Sequence, residues 1–153
     1  MQANLKICLV ASSGGHLTQL LRLSDCWQGH EVFFITTSDV VRGELQQCGS
    51  VYVVGECNRQ QLWRVFKVLF CCIEIIFRER PRVVISTGAA CGCITSFLAK
   101  AIGARIVWID SITNVERISL SGRMVKWVAD LFLVQWPELA DEKRSIQYLG
   151  AVI

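Results

Sequence analysis

Proline is nearly missing from this chain. Only Pro81 and Pro137 occur, and no Pro/Gly/Ser-rich stretch separates one part of the sequence from another. Linkers between domains draw on such stretches, so residues 1–153 are expected to form one domain, near the usual size of about 100–150 residues. Charge is scarce as well. Charged residues make up 19% of the 153 and hydrophobic ones 52%, which excludes a disordered tail, a collagen-like repeat and a charged coiled coil. Sixteen Lys+Arg against thirteen Asp+Glu leave a net charge of only +3. A nucleic-acid partner is not expected, because such domains carry clustered basic residues and a pI above about 9. No run is apolar enough over the roughly 20 residues that a transmembrane helix needs. Mean hydropathy is nonetheless +0.41, more apolar surface than one small core absorbs. Part of it should meet a partner or a membrane.

Cysteine is abundant, but its spacing is not that of a site. Among Cys8, Cys26, Cys48, Cys57, Cys71, Cys72, Cys91 and Cys93 no pair is separated by two residues. The two histidines do not complete a ligand set, so neither a zinc knuckle nor a redox motif is present, and no metal or cofactor is expected. Most of these cysteines lie inside apolar runs, where the thiol behaves as a small hydrophobe. With no signal peptide ahead of the first such run, reduced thiols in a cytosolic setting are expected.

Short apolar runs alternate with longer helical patterns. Strands are expected at 5–11 (LKICLVA), 31–36 (EVFFIT), 51–54, 82–86 (RVVIS), 105–109 (RIVWI) and 131–134, with a strand-like tail at 147–153. Helices are expected at 16–25, 39–48, 60–80, 89–102 and 121–129. Continuous apolar strands, each followed by a helix, indicate a parallel sheet covered on both faces. The fold class is therefore α/β, a Rossmann-like open, mostly parallel sheet. Ligands of such sheets bind at the carboxyl ends of the strands, where the strand order reverses.

Three loops occupy such ends. Ser12-Ser13-Gly14-Gly15-His16 joins the first strand to a helix. Its two glycines let backbone N–H groups approach an anion, and a helix N-terminus favours negative charge. It is neither GxGxxG nor a P-loop, since no Gly-Lys-Ser/Thr follows; a plain tight turn with a serine cap remains open. His16 adds a titratable group suited to general base work or to holding phosphate. Ser86-Thr87-Gly88 ends the fourth strand, with Gly92 in the next helix: a second anion-friendly terminus, or simply a close strand–helix crossing. After the fifth strand come Asp110, Ser111, Thr113, Asn114, Glu116 and Arg117, then Ser119, Ser121 and Arg123. So many donors and acceptors suit a polar ligand such as a sugar; a solvated loop is the alternative.

The segment 62–77 (LWRVFKVLFCCIEIIF) places Arg64, Lys67, Glu74 and Arg78 in one stripe about 80° wide at the helical period. The rest of its circumference is apolar, far more than the stripe of about 100° on an ordinary surface helix. Either the helix is sandwiched between the sheet and a neighbour, or it also touches lipid, with Arg64, Lys67, Arg78, Arg80 and Arg82 near anionic headgroups.

The strings SSGGHLTQLLRL, PRVVISTG, DSITNVERISLSGR, DLFLVQWPELA and YLGAVI together resemble one family along nearly the whole chain. It comprises the bacterial polysaccharide-biosynthesis proteins of the PssD kind and the eukaryotic subunit fourteen of asparagine-linked glycosylation. Both are similar to the N-terminal half of MurG-type enzymes in glycosyltransferase family 28. The resemblance implies one half of a split, inverting GT-B glycosyltransferase. This half would take a polyprenyl-diphosphate-linked sugar, while a separate donor-binding subunit (PssE-like or subunit-thirteen-like) holds the UDP-sugar. By motif, Ser13, Gly14 and Gly15 match the loop beside the acceptor diphosphate, with Gly88 bordering the cleft. His16 falls where a catalytic base or phosphate ligand is expected, and Asp110 and Asn114 match the loop approaching the acceptor sugar. No hydrophobic anchor precedes the first strand, so a peripheral position on the cytoplasmic face of the membrane is expected, through the 62–78 helix or the partner. Two other readings stay open: a non-catalytic scaffold for a self-sufficient partner enzyme, and a stand-alone nucleotide-binding enzyme. The latter is disfavoured because EVFFIT runs on to Thr37 and Ser38 before any acidic residue.

Overall fold

A computed structural model describes residues 4–56 and 61–152. Cys57 and Gln60, one of the cysteines and the expected start of the long helix, lie outside the described residues. Seven strands, β1 (Lys6–Val10), β2 (Glu31–Thr36), β3 (Ser50–Val53), β4 (Val83–Ser86), β5 (Arg105–Ile109), β6 (Leu131–Val134) and β7 (Ile146–Tyr148), form one sheet. Their order is β3-β2-β1-β4-β5-β6-β7, and every neighbouring pair is parallel. The expected Rossmann-like sheet is the one the chain forms.

Connection handedness assigns the helices to faces. The first two connections step one way along the sheet and the later ones step the other way, so right-handed crossovers put their helices on opposite sides. Accordingly α1 (Gly15–Leu21) and α2 (Arg42–Leu45) cover Ile7, Leu9 and Phe34. On the other face α3 (Leu62–Glu79), α4 (Ala89–Ala101) and α5 (Leu120–Val125) cover Cys8, Val10, Phe33 and Trp108. Strand β1 thus feeds alternate residues into two cores, as the two-residue period of a strand requires.

Several helices are shorter than the sequence pattern suggests. The first stops at Leu21, and Ser24–Cys26 makes a separate 3₁₀ turn. The second splits into a 3₁₀ turn, Asp39–Val41, and the four-residue α2; β-branched Val40 and Val41 and the internal Gly43 all disfavour a longer helix. The fifth ends at Val125, and the tail pairs only as far as Tyr148, with Gly150 at φ +118° beyond it. Buried Cys8, Cys72, Cys91 and Cys93 fill the core, while Cys26 and Cys48 are exposed. Burial pushes the Cys8 thiol well above its usual value and Cys93 up to about 11, which suits inert packing residues. Among the described residues no helix is long and apolar enough to cross a membrane.

Candidate functional site

The strand order reverses between β1 and β4, and the loops leaving those two strands meet there. Two hydrogen bonds join them. The His16 Nδ1–H donates to the Thr87 carbonyl oxygen at 2.8 Å, and Thr87 Oγ1 donates to the His16 carbonyl at 2.6 Å. A carbonyl only accepts, so Nδ1 carries the proton and the neutral imidazole keeps its lone pair on Nε2. No described residue engages Nε2. The ring is half-buried, held across the switch point with its basic nitrogen unoccupied.

The glycines explain how the ring fits. Gly88 adopts φ +133°, ψ −161° as the residue before α4, a region open essentially to glycine alone. A Cβ there would stand 2.6 Å from His16 Cε1 and 2.7 Å from Nδ1. Gly88→Ala is therefore expected to displace the imidazole and to cost about 1–3 kcal/mol of stability through backbone strain. Urea unfolding checks the second effect, and the ¹⁵N tautomer signature of His16 the first; an unchanged tautomer would contradict the packing described. Gly14, at φ +102°, precedes α1, and no side chain caps either α1 or α4. The first-turn amides at Gly15 and after Gly88 thus have no side-chain partner. Ser13 is tied down: its N–H donates to Thr37 Oγ1 at 3.1 Å, and the two hydroxyls lie 3.3 Å apart. A cavity of about 260 Å³ opens beside this loop, between Ser12–Ser13, Thr37, Glu56 and Ala89–Cys91.

Asp110 lies beneath the loop that follows β5. It is only 2% exposed, and its carboxylate accepts four hydrogen bonds: Trp108 Nε1 at 3.2 Å, Asn114 Nδ2 at 3.3 Å, Ser119 N at 2.8 Å and Ser119 Oγ at 2.5 Å. The side chain gathers residues 110–119 into one shape. Asn114 shares that arrangement through Nδ2 and leaves its amide oxygen without a partner among the described residues.

Two glutamines link this loop to α1, the helix that carries His16. Gln19, one turn along α1, accepts from Gln135 Nε2 at 2.7 Å and from the Ile112 amide at 3.5 Å. Gln135 also donates to the Asp110 carbonyl at 2.9 Å and accepts from the Val152 amide at 2.8 Å. Trp136 Nε1 donates to the Ile112 carbonyl at 2.7 Å. Sequence reasoning named Thr87 only as part of the Ser86-Thr87-Gly88 turn and passed over Gln19 and Gln135, although LTQLL and FLVQW each carry one amide side chain inside an apolar pattern. A buried amide needs partners, and here the partners are the loop.

The remaining expected residues, Arg64, Lys67 and Arg78, lie on α3. Val68, Cys72, Ile75 and Ile76 are buried, while Leu62, Trp63, Phe66, Phe70 and Phe77 are each more than half exposed. At the helical period the buried and exposed apolar sectors are each about 100° wide, with the polar stripe in the remaining sector. The Arg64 guanidinium lies 5.3 Å from the Trp63 ring centre and that of Arg78 5.1 Å from Tyr52.

An all-parallel seven-stranded sheet with glycine turns at its switch point defines a Rossmann-like half of the GT-B kind. Among solved structures, MurG from Acinetobacter baumannii matches with TM-score 0.76 at 14% identity, over 96% of this chain and 45% of its own. A UDP-N-acetylglucosamine 2-epimerase from Rickettsia bellii matches with TM-score 0.70 at 15% identity, over 97% and 45%. The chain thus spans less than half the length of these structures, and the likeness is one of fold. Residues 7–152 match the family described as "Oligosaccharide biosynthesis protein Alg14 like", and the chain belongs to that family. It is 28% identical to the UDP-N-acetylglucosamine transferase subunit ALG14 of Homo sapiens and 25% identical to that of Mus musculus, in both cases over 98% of this chain and 84% of the relative.

Proposed function

We propose that this chain is the acceptor-binding, membrane-associating subunit of a two-chain inverting glycosyltransferase. The enzyme would transfer a sugar from a UDP-sugar to a polyprenyl-diphosphate-linked saccharide, in lipid-linked oligosaccharide or capsular polysaccharide synthesis. A glycosyltransferase subunit is supported by family membership together with the relatives' name. The finer reading is carried by one observation: His16 is held across the switch point with Nε2 free to accept a proton.

In the reaction an acceptor hydroxyl oxygen bonds to the anomeric carbon of the donor sugar. The bond from that carbon to UDP breaks, UDP leaves with the electron pair, and the hydroxyl proton passes to His16 Nε2. Gly14 and Gly15 amides and the uncapped start of α4 beside Gly88 hold the acceptor diphosphate. Ser13, tied to Thr37, fixes that loop. Asn114 addresses the sugar from a loop that Asp110 shapes. The donor-binding subunit is a separate chain.

Co-expression with the candidate donor-binding chain tests this. Transfer from the UDP-sugar to a polyprenyl-diphosphate sugar is expected only when both chains are present. Full activity of the donor chain alone, unchanged by this one, would leave the scaffold reading instead. The exposed apolar sector of α3, flanked by Arg64, Lys67 and Arg78, supports a peripheral position on the cytoplasmic face. Each phenylalanine withdrawn from water gains about 1.5–3 kcal/mol. Phe66→Ser/Phe70→Ser should therefore weaken sedimentation with phospholipid vesicles by at least about tenfold; undiminished sedimentation would remove α3 from the membrane.

A further inference from the structure

A second cationic feature lies at the other end of the sheet from His16. Where α3 and α4 end and β4 and β5 begin, a cavity of about 640 Å³ is lined by Phe77, Arg80, Pro81, Arg82, Gly103 and Arg105, together with Ile102. No acidic side chain lines it. Glu79, at the end of α3, is held by Lys6 Nζ at 2.6 Å and by the Tyr52 hydroxyl at 2.5 Å, and Asp130 is likewise engaged: Lys100 Nζ donates to both its oxygens at 2.9 and 2.8 Å, and the Ile106 amide donates at 2.8 Å. Arg105 reaches it only at 3.5 Å. Arg80 Nε bonds weakly to its own helix, to the Phe77 carbonyl at 3.4 Å. The Arg82 guanidinium has no partner among the described residues.

Helix polarity accounts for part of this. Cations favour helix C-termini, which explains Arg80 at the end of α3. It does not explain Arg82, which precedes β4, or Arg105, which opens β5; the Arg105 amide donates to the Arg82 carbonyl at 2.9 Å. Arg105 is in register with Val83 rather than with Arg82, yet both arginines line the same cavity, and an anion held between them offsets their mutual repulsion. Guanidinium groups suit phosphate, which accepts two parallel N–H bonds from each.

The apolar neighbour indicates the source of the phosphate. Phe77 lines the cavity and is also the last member of the exposed α3 sector that begins at Leu62. A phosphate held by the arginines would thus have an apolar path leading from it along the helix. We infer that Arg80, Arg82 and Arg105 form a phosphate site that takes the headgroup of an acidic phospholipid, remote from the acceptor loops. The choice of a lipid as the source rests on the membrane reading of α3; the phosphate site itself does not.

The test uses the full chain and vesicles of phosphatidylcholine with or without phosphatidylglycerol, with inorganic phosphate as the soluble probe. Arg82→Gln/Arg105→Gln should lower affinity for the phosphatidylglycerol vesicles by about 30-fold, as expected for two cations at an anionic surface. Arg82→Lys/Arg105→Lys keeps the charge but loses the paired N–H geometry, and should still lose about fivefold. Wild-type affinity in the lysine variant would overturn the site in favour of diffuse charge. If inorganic phosphate raises the melting temperature of the wild type alone, while vesicle binding is equal in all variants, the ligand is free phosphate and the lipid assignment falls. Phe66→Ser/Phe70→Ser reports separately: loss of binding to both vesicle types supports the α3 membrane reading, whatever the arginines do.

Discussion

His16→Ala, assayed with the donor-binding subunit present, is expected to lower kcat by about 10²–10⁴-fold, the range of general-base catalysis. The argument rests on which nitrogen is free. Thr87 presents a carbonyl at 2.8 Å to Nδ1, so the proton of the neutral ring is committed there and Nε2 is left as acceptor. His16→Asn separates the chemistry from the architecture. Its amide N–H can take the place of Nδ1–H toward Thr87, yet it supplies no basic nitrogen. The asparagine variant should therefore fold normally and be as slow as the alanine variant. A loss below about threefold in both would remove His16 from the proton transfer and leave it as a ligand of the acceptor phosphate.

Asp110→Ala should produce the largest loss of stability. The carboxylate is 2% exposed and accepts from Trp108, Asn114 and twice from Ser119. Ser119 in turn caps α5, its hydroxyl accepting from the Gly122 amide at 2.8 Å. Removing the carboxylate strands several donors at once, and a single stranded buried donor costs about 1–3 kcal/mol. A total near 3 kcal/mol lowers the melting temperature by roughly 6–12 °C in a domain of this size. Asp110→Asn keeps one accepting oxygen but turns an N–H₂ toward donors, so it should fall between the two. Calorimetry decides: a loss under about 1 kcal/mol would return Asp110 to direct contact with the acceptor.

Gln19 and Gln135 show where sequence reading runs out. Each is one amide inside an apolar pattern, and nothing in either pattern says that the two meet. They lie 116 positions apart and bond at 2.7 Å, because α1 follows the carboxyl end of β1 and Gln135 follows that of β6, at the same edge of the parallel sheet. Asp110 is a related case. Its place after an apolar strand marked a ligand-facing loop, yet three of the four donors that surround it, from Asn114 and Ser119, arrive only once residues 110–119 fold back on themselves.

Local pattern by itself determined the parallel sheet, the places of its helices though not their lengths, and the three loops at the strand ends, since period and composition act over a few residues. It also determined that α3 carries too much apolar circumference, since that is arithmetic on one helix. Tertiary structure alone decided which side of α3 faces water, that Thr87 fixes the His16 tautomer, and that three arginines from two helix–strand junctions share one cavity. Those outcomes depend on contacts between residues far apart in the chain, and strand order, which only the folded sheet possesses, sets them.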